Sequence, residues 1–304
     1  MDYLLDYAQE SGEQLAQATQ TATDRGIPLV FAATQSKNGG WLFASPSLTP
    51  PQGSVNGDMR YRRLGNTYYL MLLSTDDREG EAVYPLGYEL AMRHPTLPPP
   101  TIRPTPTALS RLSYGLNQMW LHPVIDFSIP PDQIYQRLSS WELLAMAETQ
   151  VGENALPSLA QQVVIIVPGG YRDAGVHADN QDNLPIPAAV DYWRQQSTPP
   201  DNRPILTGGE VHAYHLHHYL HQRFVVPVPD LWLVGLVALV GKALVLLWPQ
   251  RRSPLPWLVL TGGIGVYVLI SFQVYVSAAI LLPVVLPIGT VCLYIFPSII
   301  RRKS

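Results

Sequence analysis

The pattern of hydrophobic and polar positions separates a mixed first part of the chain from a strongly apolar last quarter. The last quarter holds three apolar segments, at residues 231–248, 255–272 and 277–300. Each segment is long enough to cross a hydrocarbon core of roughly 30 Å as a helix that rises about 1.5 Å per residue. The pattern therefore predicts a domain at 1–228, three transmembrane α-helices at 229–300 and a basic tail at 301–304.

Basic residues near these segments predict which side of the membrane each part occupies. Arg251 and Arg252 lie in the first connection, and Arg301, Arg302 and Lys303 lie at the carboxyl terminus. Because lysine and arginine are enriched in short cytoplasmic loops, both regions are predicted to be cytoplasmic. The chain is then a multi-pass plasma membrane protein in contact with lipid, and its amino-terminal domain is extracytoplasmic (periplasmic).

The first 20 residues do not match the leader that an extracytoplasmic domain of this size requires. They are acidic and amphipathic, without a basic start followed by an apolar core. Two interpretations remain open. Either a signal anchor precedes this chain, which we expect, or the domain is cytoplasmic despite the distribution of basic residues.

The domain before the apolar segments alternates helical and strand-like patterns. A helical spacing in the first 25 residues precedes the apolar run IPLVFAAT at 27–34, which predicts a helix and then a buried strand. Residues 120–129 predict another strand, and QVVIIV at 162–167 is apolar on both faces, like a central strand covered by helices. The predicted fold is an α/β domain with a mixed, largely parallel sheet flanked by helices.

Charge and cysteine content limit the partners of this domain. All 23 acidic residues precede Leu231, whereas six of the 20 basic residues follow it, so the domain is acidic. An acidic surface argues against nucleic acid as a partner. The single cysteine, Cys292, lies in the last apolar segment, so an internal disulfide is excluded.

Acidic residues follow the predicted strand at 162–167. Ligands of open parallel sheets bind beyond the carboxyl ends of the strands, so we expect a ligand near Asp173 and Asp182. The alternative is that this stretch of glycines and acidic residues forms ordinary turns.

Five of the eight histidines lie in one predicted helix at 209–223. His217 and His221 are one turn apart, which allows a metal site as one interpretation. Helical projection instead predicts a buried stripe of Ala213, Leu216 and Leu220. The histidines that then face solvent are His217, His218 and His221. We therefore predict no metal ligand and no cofactor.

His212 lies at the edge of the predicted stripe, near the start of the helix. This position predicts a packed, hydrogen-bonded histidine. Its alternative role is a proton-responsive contact with a carboxylate, because the unperturbed pKa of histidine is about 6.5.

Several stretches together resemble the CHASE2 extracytoplasmic sensor domain, in particular its cyanobacterial members. They are VVIIVPGGY (163–171), DNLPIPAAVDYW (182–193), TGGEVHAYHLHHYL (207–220) and FVVPVPDLW (224–232), with GDMRYRRL (57–64) and YPLGYELAM (84–92) as fainter matches. Met59 stands where the family has glycine. Asp182, Asn183 and His212 match recognisable family positions, and both a ligand-binding and a structural role stay open for them.

The resemblance also implies parts that this chain does not show. Family members usually open with a membrane helix and the first strand and helix of the sensor, which favours a signal anchor upstream. They usually continue into a cytoplasmic kinase or nucleotide cyclase, whereas RRKS ends this sequence and no kinase motif occurs in it.

The sequence therefore predicts a sensory input module for signal transduction and not an enzyme. It would detect a small molecule or protein outside the cytoplasm and relay the signal to a kinase or cyclase on a separate chain, with homodimerisation left open. The alternatives are an extracytoplasmic metal-binding module and a membrane-bound enzyme that uses Asp173, Asp182 and His212.

Overall fold

The computed structural model describes most of the chain. The described residues are 9–35, 40–44, 54–65, 67–70, 75–76, 82–101, 107–116, 118–149, 159, 161–167, 183–247 and 255–300. They divide into two compact units. Unit 1 takes its described residues from Met1–Thr105 and Ile125–Arg223, and unit 2 from Pro106–Val124 and Phe224–Ser304. Unit 2 thus combines the apolar last quarter with a segment from the middle of the chain.

The bounds of the regular elements follow the chain. The helices are α1 (Gln9–Asp24), α2 (Leu86–Met92), α3 (Ala108–Gly115), α4 (Ser140–Thr149), α5 (Ala188–Gln196), α6 (Gly208–His221), α7 (Asp230–Leu247), α8 (Leu255–Ala278) and α9 (Val285–Ile300). The strands are β1 (Leu29–Gln35), β2 (Trp41–Leu42), β3 (Ser54–Asp58), β4 (Arg62–Leu64), β5 (Thr67–Tyr69), β6 (Thr75–Asp76), β7 (Ala82–Val83), β8 (Asn183–Pro185), β9 (Ile205–Thr207), β10 (Val226–Pro227) and β11 (Ile280–Leu281). A single 3₁₀ turn at Pro131–Gln133 is also described.

The strands pair into small sheets. β1 lies between β2 and β3, antiparallel to β2 and parallel to β3, with Leu29 opposite Ser54 and Ala33 opposite Asp58. The pairs β4–β5, β6–β7 and β8–β9 are antiparallel, and β10–β11 is parallel. The prediction of a largely parallel sheet is therefore wrong for the part of the chain that the structure describes.

The helix and the strand predicted at the start of the chain are both present, but the strand is mostly half-buried and only its Ala33 is fully buried. α1 contacts β1, which begins two residues after the predicted position. Gly26 sits between them with a φ of 72°, a left-handed conformation that glycine adopts without strain. Hydrophobic spacing and a glycine stop were enough to locate this unit because both signals are local.

Two other predicted strands are wrong. Residues 163–167 lack regular secondary structure, and Ile166 is 92% exposed. Residues 120–129 also form no strand, and their one bridge joins Val124 to Val225. An apolar run suits a sheet, but a strand forms only where another backbone edge meets its hydrogen-bonding groups.

Aromatic side chains form the core of unit 1 around α6. The ring of Tyr214 lies 4.8 Å from that of Phe127, which in turn lies 5.4 Å from Tyr68. On another side of the helix, Tyr219 lies 5.7 Å from Tyr88. All of these pairs meet edge to face, the arrangement that aromatic quadrupoles favour. α6 is thus a central element of unit 1.

The apolar last quarter forms α7, α8 and α9, but within the described residues only α8 holds a segment long and apolar enough to span a membrane. This candidate span is Thr261–Ala278. α7 begins at Asp230 and contains Lys242, and α9 has 16 residues. At about 1.5 Å per residue α9 reaches roughly 24 Å, less than the hydrocarbon thickness. The prediction of three transmembrane helices is therefore wrong, and one candidate span replaces it.

Unit 2 brings the end of α8 back to the start of α7. The amide of Val226 donates a hydrogen bond to the carbonyl of Ala279, and that of Val228 donates to Leu281, each at 2.9 Å. α7 also packs against α9. Large apolar side chains remain exposed on these helices, among them Leu231, Leu239, Leu269, Phe272 and Leu293. A surface of this kind is normally covered by lipid or by a partner.

Candidate functional site

α6 begins with a capping box. The Thr207 hydroxyl accepts a hydrogen bond from the Glu210 amide at 3.3 Å, and the Glu210 carboxylate accepts one from the Thr207 amide at 2.8 Å. These bonds satisfy two amides that a helix start otherwise leaves unpaired. The cap also holds Glu210, which is buried, at the first turn of the helix.

The buried face of α6 differs from the predicted one. Of the three leucine and alanine positions in the predicted stripe, only Leu216 is buried. Of the histidines predicted to face solvent, His218 is buried, His217 is half-buried and His221 is exposed. The buried polar side chains of α6 are Glu210, His212, His215 and His218.

Close crossing of α2 encloses part of this face. A Cβ atom at Gly87 on α2 would lie 2.9 Å from the Cβ of His215 and 3.1 Å from the backbone nitrogen of Leu216. On the other side of α2, a Cβ at Gly57 in β3 would lie 2.8 Å from the Cα of Leu86. Two glycines therefore let β3, α2 and α6 pack backbone to backbone, and this packing buries His215.

Glu210 is buried and is the centre of an ion-pair network, which we call the Glu210 network. Its Oε1 accepts hydrogen bonds from Arg194 at 2.9 Å, from Arg203 at 3.0 Å and from the Tyr135 hydroxyl at 2.9 Å. Asp201 completes the network with an ion pair of 2.6 Å to Arg203. Two acidic and two basic side chains therefore join α5 and the strand β9 region to the start of α6.

The electrostatics of the Glu210 network keep the carboxylate ionised. Burial alone would raise the pKa of Glu210, but the Thr207 amide and the charges of Arg194 and Arg203 outweigh it and hold that pKa below its ordinary value. Burial and the Glu210 charge raise the pKa of the Tyr135 hydroxyl, which stays a donor. Since both oxygens of Glu210 are engaged, this carboxylate serves to join structural elements.

His212 and His215, which we call the histidine pair, present a different environment. They lie one turn apart on α6, both are buried, and their ring centroids are 5.5 Å apart. Tyr61 packs edge-on against both rings, at 6.3 and 6.5 Å. Both ring nitrogens of His212 and the Nε2 of His215 have no hydrogen-bond partner among the described residues. Buried polar atoms of this kind are uncommon in folded proteins.

An ion pair between Asp58, the last residue of β3, and Arg60 positions Tyr61. Asp58 is buried and accepts two hydrogen bonds from the Arg60 guanidinium, at 2.8 and 2.7 Å. The same guanidinium lies 4.9 Å from the centre of the Trp41 ring. These residues belong to the GDMRYRRL stretch, and their contacts fix the turn that carries Tyr61 toward the histidine pair.

The histidine pair is neutral. Burial lowers the pKa of His212 to about 4. The nearby Met59 backbone offsets only part of this shift. Burial and the neighbouring His212 lower the pKa of His215 well below its ordinary value. An imidazole with a pKa of about 4 is a poor general base at neutral pH. Its free nitrogens are instead suited to hydrogen bonds with one small polar group.

The remaining histidines of α6 serve structure. The Nε2 of His218 accepts a hydrogen bond from the Asp126 amide at 2.9 Å, and its Nδ1 lies 3.0 Å from the Arg223 carbonyl. This arrangement fixes the neutral tautomer with the proton on Nδ1. His217 and His221 stack at 4.1 Å with 24° between their planes. Because lone pairs lie in the ring planes, two stacked rings do not converge on one ion.

Within the described ranges, no group of three or more histidine, cysteine, aspartate or glutamate side chains is arranged to hold a metal ion. The predicted site residues can be placed only in part. Asp173 and Asp182 lie outside the described residues. Asn183 is the first residue of β8, and its backbone pairs with Thr207 at the cap of α6. His212 lies in the histidine pair on α6. Because Asn183 pairs with the residue that caps α6, it lies close to the start of the helix that carries His212.

Sequence reasoning missed the Glu210 network and the partner of His212. The pattern Thr207-x-x-Glu210 is a capping-box signature and could have identified the helix start. His215 is one turn from His212 and could have been paired with it. Arg194 and Tyr135 carry no local signal, because the fold alone brings them to Glu210 over separations of 16 and 75 residues.

Comparison of the chain with models of protein families, with curated proteins and with solved structures gives no match. The resemblance to the CHASE2 domain therefore stays a prediction from the sequence.

Proposed function

We propose that the protein is a membrane-attached sensory input module. Unit 1 detects an extracytoplasmic signal, and the helices of unit 2 pass that signal to a separate cytoplasmic partner, a kinase or a cyclase. The observation that carries the proposal is the histidine pair. Its unpaired ring nitrogens lie on α6, and only residues 222–229 separate this helix from the apolar α7.

Unit 2 supplies the membrane attachment in this proposal. α8 contains the candidate span, and exposed apolar side chains such as Leu239 on α7 and Leu293 on α9 favour a lipid environment. The chain directly after α8 bonds to Val226, so the start of α7 lies beside this end of the candidate span.

The histidine pair supplies the response. A buried polar group without a partner costs about 1–3 kcal/mol, so a ligand that pairs with one of these nitrogens gains a comparable free energy. A ligand shifts an equilibrium only by its differential affinity for the two states. His212 is buried, and α2 packs closely on α6 where Gly87 meets His215, so a ligand would reach the histidine pair through a movement of α6 relative to α2. Movement of α6 would displace the chain that leads into α7.

A kinase output tests the relay. The cytoplasmic part of a histidine kinase is joined after Ser304 of the full chain, and autophosphorylation is measured in membranes that survive an alkaline wash. We expect His212→Leu to change the activity several-fold, because it removes the unpaired nitrogens from the centre of α6. His221→Leu, at an exposed position on the same helix, is the matched control and should leave the activity unchanged.

Two results would contradict the proposal. Loss of the full chain from the washed membranes would show that unit 2 does not attach the protein to the membrane. Equal kinase activity in wild type and His212→Leu, at equal amounts in the membrane, would show that the histidine pair is not coupled to the helices of unit 2.

A further inference from the structure

We infer that residues 107–116 and 118–124 form an interface collar, a surface that lies in the headgroup region of a lipid bilayer beside the start of α7. The interface collar contains α3 and belongs to unit 2. This inference rests on the proposed membrane attachment and adds a second contact with lipid, made by a segment far from the apolar last quarter in sequence.

α3 has its polar and apolar faces reversed. Ser110 and Ser113 are 1% and 0% exposed, whereas Leu112 and Leu116 are 59% and 58% exposed. Leu112 and Leu116 are four residues apart, so they lie on the same side of the helix. A helix in water buries its leucines and exposes its serines, because each leucine gains about 1.5–3 kcal/mol on burial. The reversed faces indicate that an apolar medium covers the leucine side.

Hydrogen bonds stabilise the reversed arrangement. The Ser110 hydroxyl accepts a hydrogen bond from the Thr107 amide at 3.1 Å, and the Ser113 hydroxyl donates to the Ser110 carbonyl at 2.9 Å. The ring Nε2 of His122 lies 3.1 Å from the same carbonyl. The serine side of α3 is therefore a bonded interior surface, and the orientation of Leu112 and Leu116 follows from it.

The interface collar is attached at the end of the apolar helices. The Trp120 ring lies 6.2 Å from that of Trp232, in the first turn of α7, and the Val124 amide donates to the Val225 carbonyl at 2.8 Å. Tryptophan is enriched where membrane helices enter the headgroup region. The Val226 amide, shortly before Trp232, bonds to the Ala279 carbonyl directly after the candidate span of α8, so lipid headgroups are expected at the level of Trp232. Trp120 connects the interface collar to this position.

A bilayer explains these exposed leucines better than a protein partner does. The exposed apolar surface of α7 begins at Leu231, next to Trp232, and continues through Leu236 and Leu239. A short amphipathic helix beside a membrane helix lies in the interface plane with its apolar face toward the acyl chains. Arg111, exposed next to Leu112, is compatible with this position at the headgroups.

Fluorescence quenching tests the inference on the full chain. Cys292→Ser gives a background without cysteine, and single cysteines at Leu116, Leu144 and Leu269 carry an environment-sensitive fluorophore in phosphatidylcholine vesicles. Leu144 is a matched control, 63% exposed on α4 of unit 1, and Leu269 lies near the middle of the candidate span. Quenching is measured with lipids that carry a nitroxide either near the headgroup or near the chain end.

We expect the Leu116 label to be quenched about threefold more than the Leu144 label, and more strongly by the headgroup-proximal nitroxide than by the deep one. Quenching at Leu269 with none at Leu116 would overturn the interface collar and leave the membrane attachment intact. No quenching at Leu269 would overturn the attachment itself and the interface collar with it.

Discussion

Replacement of His212 by leucine should remove part of the acid sensitivity of unit 1. The pKa of His212 is about 4 in the folded chain, against about 6.5 when unfolded. The unfolded state therefore binds more protons between these values, and the free energy of unfolding falls as the pH is lowered from 6.5 to 4. The stabilisation is complete above pH 6.5 and is lost toward pH 4.

The size of this effect follows from the shift. A difference of about 2.5 pKa units corresponds to about 3 kcal/mol once the pH is below both values, and to about 2 kcal/mol at pH 5. When the pH is lowered from 7.5 to 5, the free energy of unfolding of His212→Leu should therefore fall by about 2 kcal/mol less than that of wild type. Removal of His212 also removes one cause of the lowered pKa of His215. This change further reduces the acid sensitivity of the variant.

At pH 7.5 the same variant should differ little from wild type. Leucine has a similar volume and leaves no ring nitrogen unpaired, which offsets the lost edge-to-face contact with Tyr61. The net change in the free energy of unfolding should stay within about 1.5 kcal/mol. Urea unfolding of the full chain in detergent micelles, followed by tryptophan fluorescence at both pH values, measures the two quantities.

His221→Leu is the control for this prediction, because His221 lies on the same helix but is exposed. It should show the pH dependence of wild type. Equal losses of stability for wild type and His212→Leu between pH 7.5 and pH 5 would show that His212 is not held neutral by burial.

Two further substitutions test the packing and the charges around α6. Glu210→Gln removes the nearer of the two carboxylates that pair with the buried Arg194 guanidinium and leaves only Asp201 at 3.4 Å. It should cost about 3 kcal/mol, seen as a lower thermal unfolding midpoint; a double variant with Arg194→Met should recover part of this loss. Wild type should also lose the Glu210 contribution as the pH falls below about 4.5, because the pKa of Glu210 is held below that value. Gly87→Ala should destabilise the chain, since its Cβ would meet His215 at 2.9 Å, whereas Gly115→Ala, with open space around it, should not. Unchanged stability in Gly87→Ala would argue against the close crossing of α2 and α6.

Patterns along the sequence were sufficient where the signal is local. The spacing of apolar residues and the stop at Gly26 located α1 and β1, and the histidine-rich helix was recognised within two residues of the bounds of α6. The acidic character of the first part and the apolar character of the last quarter are also properties of composition. The same reasoning failed for residues 162–167, because a strand depends on a second backbone edge that local sequence does not supply.

The tertiary structure alone decided which side chains are buried and what they meet. Helical projection placed His218 in solvent, yet packing around α6 buries it, because a neutral imidazole tolerates burial when its nitrogens are bonded. Glu210 meets Arg194 and Tyr135, and α3 turns its serines inward and its leucines outward, through contacts between residues far apart in the chain. Periodicity specifies which residues share a face, but the environment of that face is set by elements that the sequence places elsewhere.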